Sequence, residues 1–144
     1  MTEVAFHFNM PDKLPYLCRL LRKAAAQGAQ VAVVGPEATL GELDAALWSF
    51  SETDFVPHCR ADSDAIVLDA SPIVLGVTPS QARHHDVLLN LGAQVPTGFE
   101  RFERVIEGVG PDDQERADSR QRWKYYQQRG YALVRHDIAG KGRG

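Results

Sequence analysis

Apolar positions along this chain change period repeatedly, from two to about three and a half, and mark out alternating strands and helices. Glu3–Phe8 sets Val4, Phe6 and Phe8 against Ala5 and His7 and predicts a strand. Asp12 stands where a helix cap belongs, ahead of Leu14, Leu17, Leu21 and Ala24 on one face to about Gln27, and Gly28 stops the run. Residues 30–34 predict a short strand, its Val31-Ala32-Val33-Val34 an unbroken apolar run of the kind that parallel sheets cover on both faces. A second helix follows Pro36, with Leu40, Leu43 and Leu47 at helical spacing and its end near Trp48. Phe55-Val56-Pro57-His58 reads as an extended edge piece, because proline has no amide to give a central strand, and 61–64 as a loop. Residues 66–69 and 73–75 predict two short strands broken at Ser71-Pro72 as a hairpin. Residues 86–91 predict a further strand, 99–102 a helical turn, 104–109 a strand and 131–137 a last strand.

Strands alternating with helices predict a single three-layer, Rossmann-like α/β domain with a mostly parallel sheet and helices on both faces. Its expected span is 1–139, with Gly140-Lys141-Gly142-Arg143-Gly144 as a disordered tail. A chain of 144 residues is long enough to bury a full core and shows no internal repeat.

The helix expected at 112–130 departs from the pattern of the others. Asp112 and Glu115 are spaced as in a capping box, and Gly130 is placed to end the helix. Few aliphatic residues lie between them. Arg116, Arg120, Trp123 and Gln127 instead recur at spacings that share one face. Guanidinium groups beside an indole suit an anionic partner that also buries something apolar; the alternative is a solvated surface helix. Charge sharpens this picture. The chain carries a net −3, yet 114–130 holds five cations against two acids, a local +3 that leaves −6 elsewhere. That distribution favours a small anionic site over bulk attraction to nucleic acid or a membrane.

Candidate chemistry elsewhere is sparse. The turns at Phe8-Asn9-Met10-Pro11 and Val34-Gly35-Pro36-Glu37 lack the glycine patterns that bring phosphate against backbone amides. His84-His85-Asp86 is the densest group of possible metal ligands, but spacing picks out no further ligand, and a polar lead-in to the next strand accounts for it. His58 beside Cys59 has no orienting third group. Cys18 and Cys59 are the two cysteines, so no disulfide framework or thiol-rich metal site is indicated. With no signal-like start or membrane-length apolar run, a cytoplasmic protein without cofactor or metal is the expectation.

Several segments, in order and at similar spacings over nearly the whole chain, resemble the chi subunit of bacterial DNA polymerase III. They are Leu43-Asp44-Ala45-Ala46-Leu47-Trp48, Phe55-Val56-Pro57-His58, Asp86-Val87-Leu88-Leu89-Asn90-Leu91, Phe102-Glu103-Arg104-Val105-Ile106-Glu107, the arginine-rich helix, and Gly130-Tyr131. The resemblance implies a non-catalytic subunit attached to the clamp loader. Such a subunit binds psi and the acidic C-terminal tail of single-stranded DNA-binding protein, with contact to DNA only indirect. By the same resemblance Arg116, Arg120, Trp123 and Val109 match the tail-binding site, where the family often has lysine and tyrosine at the Arg116 and Trp123 positions. Gln127 departs from it, standing where a basic residue occurs. Trp48 and Phe55, with Leu47 and Val56, match the psi-facing surface, and the alternative for them is core packing. A rival reading from another class is a small α/β enzyme using a metal or nucleotide near His84, His85 and Asp86.

Overall fold

The structure, a computed structural model, describes residues 2–49, 56–76, 78–79 and 82–141. Among the described residues seven strands form one sheet: β1 (Glu3–Phe8), β2 (Val31–Val34), β3 (His58–Arg60), β4 (Ile73–Gly76), β5 (Val87–Asn90), β6 (Arg104–Gly108) and β7 (Ala132–Asp137). Their order across the sheet is β3-β4-β2-β5-β6-β1-β7, and every pairing is parallel. The helices are α1 (Lys13–Ala26), α2 (Glu37–Ser49), α3 (Ala65–Ala70), α4 (Asp113–Gln128) and a short α5 (Ile138–Lys141), with a 3-10 turn at Phe99–Arg101. The three-layer α/β class expected from the pattern is the architecture observed.

Chain order explains the layers. The connections through α1 and α2 step across the sheet in one direction, and the connection through α4 steps back. Right-handed crossovers then require opposite faces. Two core clusters show the result. Leu17, Leu21, Leu40, Leu43 and Leu47 from α1 and α2 pack on Val31, Val33, Ile73, Leu75 and Leu89. On the other face Phe99, Phe102 and Tyr126 pack on Val4, Phe6, Ala32, Leu88 and Val105. The fully buried VAVV of β2 fits a strand covered on both sides.

The expected hairpin at 66–75 is not formed. Residues 65–70 are α3, with Leu68 N bonded to the Asp64 carbonyl at 2.9 Å, and only 73–76 is a strand. The reason is topological: β3 and β4 are parallel neighbours, and a chain joining them must cross over rather than turn back. The extended piece expected at 55–58 begins its pairing later, at His58, as the outermost strand. Asp12 precedes α1 without a side-chain cap. Of the tail expected at 140–144, Gly140 and Lys141 fall within α5, and 142–144 lie outside the described residues.

Candidate functional site

Because β1 lies between β6 and β7, the crossover through α4 carries that helix over β1. Trp123 meets Phe6 edge-on at 5.1 Å between ring centroids, and Tyr126 meets the same ring at 6.0 Å. The start of α4 is well specified. Asp112 accepts from the amides of Gln114 and Glu115 at 3.0 and 3.1 Å, as its capping position predicts. The other half of the expected box does not close. Glu115 turns instead to the Gly110 amide at 3.2 Å and to Lys13 Nζ at 2.6 Å, which ties α4 to α1. A Cβ at Gly110 would lie 2.7 Å from the Glu115 carboxylate, so a larger residue there would push that side chain off the amide. At the far end Gly130 takes φ +79, the left-handed conformation that closes the helix.

Beneath α4 lies a polar network that periodicity did not reveal. Glu107, fully buried on β6, accepts from Arg122 Nε at 2.8 Å, Tyr126 OH at 2.7 Å and Asn90 Nδ2 at 2.9 Å. Burial pushes the Glu107 carboxyl above its usual range, while Arg122 and the hydrogen bonds oppose that rise. Burial, then Glu107, pushes the Tyr126 phenol up, so it remains a donor. Arg122, counted above in the local positive charge, is thus 4 % exposed and neutralised inside the protein.

The exposed side of α4 borders a cleft of about 560 Å³. Arg116, Arg120, Trp123 and Val109 all line it, so the four residues singled out in the sequence converge. Val109 is buried and gives the cleft apolar surface, as do Phe6, Phe8 and the half-buried Trp123. Arg116 Nη2 donates to Asn9 Oδ1 at 3.3 Å, and Asn9 holds a positive φ of 59° at the end of β1. Gln127 is in the lining, with Lys124 beside it. Arg135, which no pattern in the sequence singles out, enters from β7. Its guanidinium stands 4.9 Å from the Phe8 ring centroid and 5.9 Å from that of Trp123. Alternation along β7 places Leu133 and Arg135 on one face, a signal that becomes useful only once β7 is known to adjoin β1. None of the described lining residues is acidic, and Arg116, Arg120, Lys124 and Arg135 have no ion-pair partner among the described residues. The cleft is therefore arranged to take carboxylates together with an apolar group.

The second predicted surface divides. Trp48 is 61 % exposed at the end of α2, whereas Leu47 and Val56 are in the core at 2 % and 1 %. Phe55 lies outside the described residues. His58 is buried against Trp48; its Nδ1 donates to the Val56 carbonyl at 2.6 Å and its Nε2 lies 3.0 Å from Asp44. His84, His85 and Asp86 do not converge. His84 is buried with neither ring nitrogen hydrogen-bonded among the described residues, His85 rests on Phe102, and Asp86 accepts from the Gln30 amide. Among the described residues no group of three His, Cys, Asp or Glu side chains could hold a metal ion, and no helix is long and apolar enough to cross a membrane.

A family model described as DNA polymerase III chi subunit, HolC, matches residues 1–134. The DNA polymerase III subunit chi of Pseudomonas aeruginosa is 37 % identical over 143 residues, covering 96 % of this chain and 98 % of the relative. That of Haemophilus influenzae is 25 % identical over 122 residues, covering 84 % of each.

Proposed function

Because the chain belongs to the DNA polymerase III chi subunit family, with the replication accessory role this implies, we propose that it acts as a non-catalytic adaptor between two proteins. One is the acidic C-terminal tail of single-stranded DNA-binding protein, seated in the α4 cleft. The other is the psi subunit, docked at Trp48, through which the chain joins the clamp loader in the cytoplasm. The observation that carries the first contact is the convergence of Arg116, Arg120, Trp123 and Val109 in one cleft free of acids among its described lining residues. A terminal carboxylate pairs with Arg120 and Arg116, and the last apolar side chain packs on Trp123 and Val109. Arg135 and Lys124 add positive charge for upstream acids. At the psi surface Trp48 is the exposed anchor and rests on His58, Leu47 and Val56 are core residues rather than contacts, and Phe55 is the second anchor expected from the sequence.

The test is titration of the protein with a short acidic peptide ending in Pro-Phe. Binding is expected in the micromolar range, on the order of 1–100 μM for so small a contact. Amidating the terminal carboxylate or substituting Arg120→Ala is expected to weaken it about tenfold or more, and added salt weakens it further. Unchanged affinity after both alterations removes the cleft assignment.

A further inference from the structure

Among the described residues the large apolar side chains left exposed are Trp48, Ile66, Val67 and Val134. Three of these four belong to elements bordering β3, the outermost strand on one side of the sheet. The Trp48 ring stands 4.9 Å from that of His58 in β3. Ile66, 84 % exposed, and Val67 belong to α3, which packs beside β3 and buries none of its residues. A helix of under two turns that directs its β-branched side chains into water gains nothing from them in the isolated chain. Charge around this edge is predominantly acidic. Over 37–70 the described acids are Glu37, Glu42, Asp44, Asp62, Asp64 and Asp69, with Arg60 as the one described Lys or Arg. Arg60 is tied to Glu37, His58 lies against Asp44, and Arg83 from outside this stretch pairs with Asp69 of α3 at 2.9 Å, while Glu42, Asp62 and Asp64 have no ion-pair partner among the described residues.

We propose that α3 and Trp48 together form one protein-docking surface, and that its occupant is a polypeptide whose apolar anchor is ringed by Lys and Arg. This rests on the psi-docking reading above and adds two things to it: the α3 residues and the basic character of the partner's contact face. A three-residue edge strand preceded by Pro57 offers few unpaired backbone groups, so the contact is made by side chains rather than by strand addition. Ile66, Val67 and Trp48 hold the partner once seated, and the acids speed encounter.

The test uses the full chain and the psi subunit of the same organism, with association and dissociation followed over a salt series. Replacing both Ile66→Ser and Val67→Ser, at exposed positions where the fold is retained, is expected to weaken binding about tenfold, chiefly through faster dissociation. Asp62→Asn with Asp64→Asn is expected to slow association about threefold and flatten its salt dependence. If Trp48→Ala abolishes binding while the α3 changes alter neither affinity nor salt slope, the α3 surface is overturned and the psi reading stands. If the unaltered chain does not bind psi, both fall. Self-association that disappears with Ile66→Ser would make a second copy the occupant and overturn the proposal.

Discussion

Arg120 and Arg122 stand two residues apart on α4 and meet opposite environments. Arg120 is exposed on the cleft, and Arg122 is sealed against Glu107 beneath the helix. A buried pair of this kind is costly to break from one side, because the remaining charge stays desolvated. Sequence identifies both as arginine but not which one faces water, since that depends on the helix's rotation over β1. Arg135 makes the same point from a strand. Nothing in its neighbours marks it, and it joins the cleft because β7 pairs with β1. His84 shows what a residue loses on burial. Desolvation lowers its pKa from the usual value, against the opposing pull of Asp86, and neither ring nitrogen has a hydrogen-bond partner among the described residues. The unfolded chain therefore binds a proton more readily than the folded one. Stability is expected to be fully present above the unfolded value near 6.5 and to fall as pH drops through it toward the lower folded value. Urea unfolding at pH 7.5 and 5.5, compared with His84→Leu, checks this: the substitution should shrink the loss between the two pH values, and an unchanged loss would place the effect elsewhere.

At the scale of elements, α4 is the most legible part of the chain. Asp112 caps it and Gly130 ends it as the residue types predict, because both effects are local to a few backbone groups. Asp112→Ala is expected to cost about 1 kcal/mol in denaturant unfolding. The same change should weaken the tail peptide less than Arg120→Ala does, since Asp112 holds the helix rather than the ligand. α3 was illegible for the opposite reason. Ile66-Val67-Leu68 has the composition of a strand, and an apolar run this short does not distinguish strand from helix. What decided it was the parallel register of β3 and β4, which requires a crossover between them. Of its apolar side chains Leu68 is half-buried, while Ile66 and Val67 are exposed in the isolated chain.

Across the whole molecule the two proposed contacts occupy opposite sides of the sheet. The α4 cleft belongs to β6, β1 and β7, while Trp48 and α3 border β3, four strand positions from β6. At about 4.8 Å per strand that is roughly 20 Å through a close-packed parallel core. With no shared side chains, the two sites should act independently. Saturating tail peptide is expected to change psi affinity by less than about twofold, or about 0.4 kcal/mol, in a competition-free titration; a larger effect would reveal coupling through the sheet. The amino-acid sequence by itself determined the α/β class, most strand and helix positions, the capped basic helix and four residues of its cleft. These follow from periodicity, capping and a family pattern, all expressed over short stretches of chain. Only the tertiary structure decided the β3-β4-β2-β5-β6-β1-β7 order, the burial of Arg122 with Glu107, the arrival of Arg135 and the helical state of α3. Each of those depends on which distant segment becomes a neighbour, and the energy that chooses neighbours is that of packing across the sheet.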